Sequence, residues 1–194
     1  IFPPFSAFCG CALRGEKISL GAQNFYPADN GAFTGEICAD MLSEFDINSV
    51  LVGHSERRAL GEDDEFVRAK FEFAKAKLWR VVLCVGEDDI VHMNGSTCEF
   101  LESQLEGIDL AYEKLIIAYE PIWAIGIGKS AKPEIIAEIL EFLSLKTKAP
   151  LLYGGSVNAS NIAMITQIPH CAGVLVGSAS WQVQSFIELI KASK

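Results

Sequence analysis

The sequence LIIAYEPIWAIGIGK, which runs from Leu115 to Lys129, joins a short apolar run directly to an acidic residue and a glycine-containing loop. Short runs rich in Val, Ile and Leu that end at turn residues are typical of buried strands. Such runs occur at Ile18–Gly21, Ser49–Gly53, Val81–Gly86, Leu115–Tyr119, Leu151–Gly154 and Gly173–Gly177. Together with Ile1–Phe2, which resemble the end of another strand, they predict seven βα units.

The segments between these runs have the pattern of helices that cover a sheet. Asp63–Lys77 and Pro133–Lys146 mix charged and apolar residues at three-to-four spacing, and Pro133 suits the first turn of its helix. Alternating strands and helices predict a parallel α/β sheet, either open and doubly wound or closed as an eight-stranded barrel. Most runs lead into polar or glycine-rich sequences, and barrel sites lie at the carboxyl ends of strands. That placement favours the barrel.

Size and charge limit the class of protein. The chain has 194 residues, half of them apolar, and a formal net charge of -9. One domain spanning residues 1–194 is predicted, and nucleic acid or membrane partners are not, because both usually require a clustered basic face. The six cysteines include no C-x-x-C pair, which indicates a reduced, cytoplasmic protein. Cys9 and Cys11 lack the second pair or histidine cluster that a metal site needs.

Glu120 follows an apolar strand and precedes a loop that contains Gly126 and Gly128. A carboxylate held at a strand end and partly desolvated is a stronger base, as proton abstraction from carbon requires. The loop would then form a lid over that base. The alternative is a structural role, in which Glu120 caps the next helix or pairs with a lysine.

His54 lies in VGHSERR, where an apolar run opens into a turn and a helix could start. The amino end of a helix favours the neutral imidazole, which can donate a hydrogen bond to a carbonyl. A satisfied structural histidine is the alternative. His92 and His170 lack comparable surroundings, and we expect both to be structural.

Two Gly/Ser turns follow the last two predicted strands, at Tyr153–Asn158 and Val176–Ser180. Backbone N–H groups in such turns approach an anion closely, and a following helix adds its dipole. Either one alone could be an ordinary turn. Because the last two βα loops of a barrel are a recurrent phosphate site, the pair predicts phosphate binding.

Five ordered motifs resemble those of the triosephosphate isomerase family, especially its short bacterial forms. They are GAQN at Gly21–Asn24, GAFTGE at Gly31–Glu36, VGHSERR, AYEPIWAIG and YGGSVN. The resemblance implies a TIM (β/α)8 barrel, of which this sequence carries seven of eight units. It also implies an isomerase of glycolysis and gluconeogenesis that interconverts dihydroxyacetone phosphate and D-glyceraldehyde 3-phosphate without metal or organic cofactor.

The resemblance also implies roles for the residues that match the motifs. Glu120 matches the base that moves a proton between C1 and C2 of the substrate, and His54 matches the neutral electrophile that polarises the carbonyl, a pairing that the family itself defines. Ser55 and Glu56 match residues that support the histidine. Phosphate contacts are implied for Gly126, Ser156, Gly177 and Ser178.

The lid and the subunit contact are implied in the same way. The closing loop, whose closure excludes water, includes Pro121, Ile127, Gly128 and Lys129. Thr34 matches the tip of a loop that reaches into a neighbouring subunit, which implies a homodimer through the Phe25–Glu36 region. Ile127 stands where the family usually has Thr, so we expect altered lid kinetics. Ser178 replaces a more common Gly and should be tolerated unless its φ is positive.

The main departure from the family concerns its first βα unit. That unit carries an Asn-x-Lys motif whose lysine neutralises phosphate and enediolate charge, and no residue here matches it. The unit could be present in the molecule but missing from this sequence, removed by truncation, or absent from a natural variant with a new role. Without it, two strand edges would be unpaired, and we expect the chain alone to be a poor enzyme. The rival hypothesis is a non-catalytic phosphate-binding scaffold of the same fold.

Overall fold

The computed structural model describes residues 1–10, 18–125 and 130–193. Within these ranges, five strands form one parallel sheet in the order β1-β2-β3-β4-β5. The strands are β1 Ser49–Val52, β2 Arg80–Val85, β3 Leu115–Tyr119, β4 Leu151–Tyr153 and β5 Cys171–Val174. The α-helices are α1 Ala39–Ser43, α2 Ser55–Ala59, α3 Asp64–Ala76, α4 Asp89–Met93, α5 Thr97–Leu105, α6 Pro133–Lys146, α7 Ile162–Ile165 and α8 Val183–Ala192.

The first of two compact units comprises Ile1–Leu83 and Tyr112–Leu115. In it β1 lies parallel to β2, with Val50 opposite Val81, and every residue of β1 is buried. Helix α3 begins at a cap in which the Asp63 side chain accepts the backbone N–H of Phe66 at 2.8 Å. Its buried face packs against β1, as the three-to-four spacing of its apolar residues requires.

Aromatic rings fill much of the first unit's core. Phe25 is 1% exposed, and its ring lies 5.5 Å from that of Trp79 and 6.0 Å from that of Phe73. Tyr112 donates its hydroxyl to the Trp79 carbonyl at 2.7 Å, which satisfies a polar group next to this core. The aromatic packing fixes the loop that follows GAQN against the end of α3.

The second unit comprises Cys84–Ala111 and Ile116–Lys194. Here β3 pairs with β4, with Ile117 opposite Leu151, and β4 pairs with β5. Helix α6 starts at Pro133, where the missing N–H costs no hydrogen bond. Its buried stripe, which packs on β4, consists of Ile136, Ile139, Leu140 and Leu143.

The predicted helices agree with the structure more closely than the predicted strands do. The segment predicted at Pro133–Lys146 has those bounds, and the one at Asp63–Lys77 forms α3 over Asp64–Ala76. The prediction of a strand at Ile18–Gly21 is wrong: the described residues of this segment form isolated bridges in place of a continuous strand, one of them between Ala22 and Val50. A strand needs several successive pairs, and Ala22 makes two ladder bonds, to Ser49 and Leu51.

Among the described residues, no helix is both long enough and apolar enough to cross a membrane.

Candidate active site

Glu120 lies directly after β3 in the second unit, and it is 2% exposed. Its backbone N–H donates to the Val85 carbonyl at 2.8 Å. Two glycines leave room for it: a methyl group would lie 2.8 Å from Cγ of Glu120 if placed on Gly154, and 1.8 Å from its carbonyl oxygen if placed on Gly86. Backbone and side chain are therefore held in a fitted position at the strand end.

The segment after Glu120 is attached to a buried acid, Glu87, which follows β2. Pro121 leads into a 3-10 turn over Ile122–Ala124. The indole N–H of Trp123 donates to Oε1 of Glu87 at 2.8 Å, and the backbone N–H of Ile122 donates to the Glu87 carbonyl at 2.9 Å. Glu87 is fully buried, so these bonds form out of water, where they are stronger.

Tyr119 adds a second donor to the carboxylate of Glu87. Its hydroxyl donates to Oε1 of Glu87 at 3.1 Å. Burial, together with the neighbouring Glu87 carboxylate, raises the pKa of Tyr119 well above its ordinary value. The phenol therefore stays protonated and keeps donating.

The hydroxyl of Tyr153, at the end of β4, forms hydrogen bonds with the residues that follow the predicted lid. Its hydroxyl accepts the backbone N–H of Ala131 at 3.0 Å and the hydroxyl of Ser130 at 3.1 Å. Burial raises the pKa of Tyr153, so its oxygen remains a neutral acceptor. The segments on both sides of the lid are thus attached to the sheet, whereas the predicted lid residues Gly126, Ile127, Gly128 and Lys129 lie outside the described residues.

Three of the predicted phosphate contacts, Ser156, Gly177 and Ser178, occupy two turns of the second unit. Ser156 directs both its backbone N–H and its hydroxyl to the Ala124 carbonyl, at 3.1 Å and 2.7 Å. This links the GGS turn to the segment after Glu120. A phosphate contact by Ser156 would require at least one of these bonds to exchange.

Gly177 and Ser178 are exposed at the end of the second turn. Ser178 begins a 3-10 turn, Ser178–Ser180, in which the Gly177 carbonyl accepts the N–H of Ser180 at 2.9 Å. Among the described residues, the non-glycine residues with positive φ are Asp46, Leu78 and His170. Ser178 therefore has a backbone that suits serine, and the condition set for tolerating it is met.

His54, in the first unit, caps helix α2 at the end of β1. Its Nδ1 accepts the backbone N–H of Glu56 at 3.3 Å. Because Nδ1 is an acceptor, the proton of the neutral ring lies on Nε2, which is then a donor. Ser55 starts the helix, while the Glu56 side chain is 86% exposed, with one oxygen 4.0 Å from Nδ1.

A buried ion cluster lies close to His54 in sequence, and sequence reasoning missed it. Lys70 is 1% exposed and donates to Oε1 of Glu62 at 2.5 Å and to Oδ1 of Asn24 at 2.6 Å. Arg57 donates to the same Glu62 oxygen at 2.7 Å. Asn24 belongs to GAQN and Arg57 to VGHSERR, so these two motifs meet through the cluster. The presence of both motifs in one sequence was the signal that could have indicated this cluster.

Thr34 is exposed at the tip of the loop predicted to contact a second subunit. The loop is internally braced, since the rings of Tyr26 and Phe33 lie 4.3 Å apart and the N–H of Glu36 donates to the Phe33 carbonyl at 2.9 Å. Phe33 is 37% exposed. A braced, partly apolar and exposed tip is suited to contact another protein surface.

A parallel sheet with helices between its strands and polar residues at the strand ends is the arrangement of an α/β protein. The family model for triosephosphate isomerase matches residues 1–193. The triosephosphate isomerase of Campylobacter hominis is 62% identical over 192 residues, which cover 98% of this chain and 82% of that protein. The triosephosphate isomerase of Helicobacter hepaticus is 51% identical over 197 residues, which cover 100% of this chain and 83% of that protein. The chain therefore belongs to the triosephosphate isomerase family.

The family assignment confirms the α/β TIM-barrel class and the isomerase activity predicted from the motifs. A third relative, the triosephosphate isomerase of Campylobacter curvus, is 57% identical over 195 residues, which cover 100% of this chain and 84% of that protein. The alternative of a non-catalytic scaffold gains no support from these relatives.

Proposed function

We propose that this chain interconverts dihydroxyacetone phosphate and D-glyceraldehyde 3-phosphate by proton transfer through an enediolate. The observation that carries the proposal is the placement of Glu120. The residue is buried at the end of β3, and its position is fitted by Gly86 and Gly154. A rigid, desolvated carboxylate is what abstraction of a weakly acidic C–H proton requires.

In the forward step Glu120 removes a proton from the carbon beside the substrate carbonyl, and the electron pair of that C–H bond forms the enediolate double bond. His54 passes the hydroxyl proton of the first carbon to the former carbonyl oxygen, and the protonated Glu120 returns its proton to the former carbonyl carbon. The reaction is an internal redox exchange between two carbons, so it needs no external oxidant or reductant. Nε2 of neutral His54 donates a hydrogen bond to the carbonyl oxygen and stabilises the negative charge that develops on it.

The Gly/Ser turns of the second unit bind the phosphate group in this proposal. The residues assigned are Gly126, Ser156, Gly177 and Ser178. The bonds from Ser156 to Ala124 couple this phosphate site to the segment after Glu120, so substrate binding would favour lid closure. Closure excludes water and prevents loss of phosphate from the enediolate.

The proposed assembly is a cytoplasmic homodimer in which the Phe25–Glu36 region contacts the second subunit. The exposed Thr34 and Phe33 support it, together with the internal bracing of their loop. The proposed metabolic setting is glycolysis and gluconeogenesis.

Replacement of the base tests the proposed function. Glu120→Gln keeps the size of the side chain and removes its basicity, so kcat should fall by about a hundredfold or more. Glu134→Gln, at an exposed position in α6, is the matched control and should retain activity. The assay follows triose phosphate isomerisation by the intact protein, whose mass is compared with the 21.1 kDa of this sequence. Equal activity in wild type and Glu120→Gln would contradict the proposal.

Binding of an enediolate mimic gives an independent measurement. A phosphate-bearing mimic should bind the intact protein tightly and lose affinity in Glu120→Gln. Binding no tighter than that of inorganic phosphate, and independent of Glu120, would instead indicate the scaffold.

A further inference from the structure

His92 of helix α4 stacks on Trp123, three residues beyond Glu120. The centres of the two rings lie 4.1 Å apart and their planes differ by 18°. Nδ1 of His92 lies 3.7 Å from Oε1 of Glu87, and the His92 side chain is 31% exposed. We call Glu87, His92, Tyr119 and Trp123 the Trp123 cluster.

The position of Trp123 determines where the chain goes after Glu120. Trp123 lies in the 3-10 turn Ile122–Ala124 and is tied to Glu87 by its indole N–H. In the described part of the chain, the ring stacked on its face is that of His92. Without this ring, the indole would keep its hydrogen bond but lose the packing that restricts its tilt. His92 therefore influences the geometry of the turn Ile122–Ala124, although it is not part of that turn.

The charge state of His92 affects this arrangement through two contacts. Glu87 is fully buried, and its Oε2 has no hydrogen-bond partner among the described residues. A buried carboxylate with an unsatisfied oxygen is costly, and a nearby positive charge offsets part of that cost. An imidazolium is also attracted to the face of an indole. The protonated ring should therefore hold Trp123 against Glu87 more firmly than the neutral ring does.

The other titratable groups around the cluster do not compete for this role. Burial and acidic neighbours raise the pKa of Tyr119 on β3 and of Cys98 on α5, so both stay uncharged near neutral pH. The Asp88 side chain is engaged as the cap of α4, where it accepts the N–H of Val91 at 2.9 Å.

We propose that His92 is a positioning residue for the turn after Glu120: its stacked ring holds Trp123 on Glu87 and thereby sets that turn. The inference rests on the proposed function, because the position of this turn matters only if Glu120 acts on a substrate. It assigns part of that action to a residue outside the catalytic set.

A spectroscopic experiment tests the contact without requiring activity. Indole fluorescence depends on the groups packed on the ring, so His92→Gln, which removes the ring stacked on Trp123, should change the intensity of the tryptophan emission. His170→Asn removes another imidazole of the second unit, at a positive φ that suits asparagine, and should leave the emission unchanged. An emission of His92→Gln equal to that of the wild type would overturn the proposal, even for a protein with no isomerase activity.

A kinetic experiment tests the positioning role. His92→Ala removes the stacked ring and should lower kcat about threefold to tenfold, with a smaller effect on KM. His92→Phe keeps an aromatic ring that can stack on Trp123, so it should restore kcat. A kcat for His92→Ala equal to that of an active wild type would overturn the proposal, whereas an inactive wild type would instead count against the proposed function.

Discussion

A methyl group on Gly154 would lie 2.8 Å from Cγ of Glu120 and 3.5 Å from its Oε1. The end of β4 thus forms one wall of the space that the carboxylate occupies after β3. Contacts below 3 Å with a carbon near the backbone cannot be relieved by moving a flexible tip, because Cγ has little freedom at a buried strand end. Gly154 therefore acts on the position of the proposed base.

Gly154→Ala should displace Glu120 and lower kcat about tenfold to a hundredfold, because small misplacements of a reacting group have large kinetic effects. Gly173→Ala is the matched control: its methyl group would meet only Cδ2 of Leu152, at 3.3 Å. Steady-state kinetics of both variants, with their unfolding curves, separate a local displacement from general destabilisation. An unchanged kcat in folded Gly154→Ala would contradict the fitted position.

Tyr153→Phe should lower kcat by freeing the segment after the lid. The substitution removes the acceptor for the N–H of Ala131, which is 3% exposed, and an unsatisfied buried donor costs about 1–3 kcal/mol. The measurements are kcat for isomerisation and the free energy of unfolding in urea.

Tyr112→Phe provides the matched control, since it also removes a hydroxyl that bonds to backbone, at the Trp79 carbonyl of the first unit. It should lower stability but leave kcat close to the wild-type value. If the two variants lose kcat equally, the hydroxyl of Tyr153 has no special connection to the lid.

The sequence was sufficient to predict the features that depend on residues close together in the chain. The bounds of α6 follow from Pro133, which suits a first helical turn, and from the apolar stripe that ends near Lys146. The acid after β3 is visible because an apolar run ends directly at Glu120. These features need no knowledge of what lies across the sheet.

Features that depend on distant partners were not predicted. Ile18–Gly21 has the composition of a strand, but in the described residues its pairing amounts to isolated bridges such as that between Ala22 and Val50. Glu87 sits beside Asp88 and Asp89 and resembles a solvent-exposed cap in sequence; only the donors from Tyr119 and Trp123 reveal a buried anchor. The polar sequence GEDD, which follows an apolar run, was a signal that could have indicated Glu87. The neighbouring sequence does not indicate the partners of Glu87.

Thr34→Arg tests the proposed subunit contact. A long charged side chain at the exposed tip of a braced loop should prevent the tip from entering a neighbouring subunit, so the variant should sediment as a monomer where the wild type sediments as a dimer. Asn94→Arg, at an exposed turn of the second unit, should sediment as the wild type does. A monomeric wild type, or a dimeric Thr34→Arg, would contradict the proposed interface.

Lys70→Met tests the buried ion cluster. Lys70 is 1% exposed and bonded to Glu62 and Asn24, so removing its charge leaves Glu62 with Arg57 as its remaining cationic partner. Breaking a buried pair in this way should lower the free energy of unfolding by about 3 kcal/mol at pH 7. Lys75→Met, at a half-buried position of the same helix, breaks a 3.7 Å pair with Glu72 and should cost less than about 1 kcal/mol.

The pH dependence of the same variant gives a signed prediction. Burial lowers the pKa of Lys70, an effect only partly opposed by Glu62, whereas a lysine in the unfolded chain has a pKa of about 10.4. Between these two values the unfolded state binds more protons than the folded state, so the Lys70 contribution to the free energy of unfolding increases with pH. Lys70→Met lacks this contribution. The difference in stability between wild type and Lys70→Met, measured by urea unfolding from pH 7 to 10, should therefore grow with pH, while the difference for Lys75→Met stays nearly constant. A difference for Lys70→Met that shrinks over this range would mean that attraction to Glu62, rather than burial, dominates the pKa of Lys70.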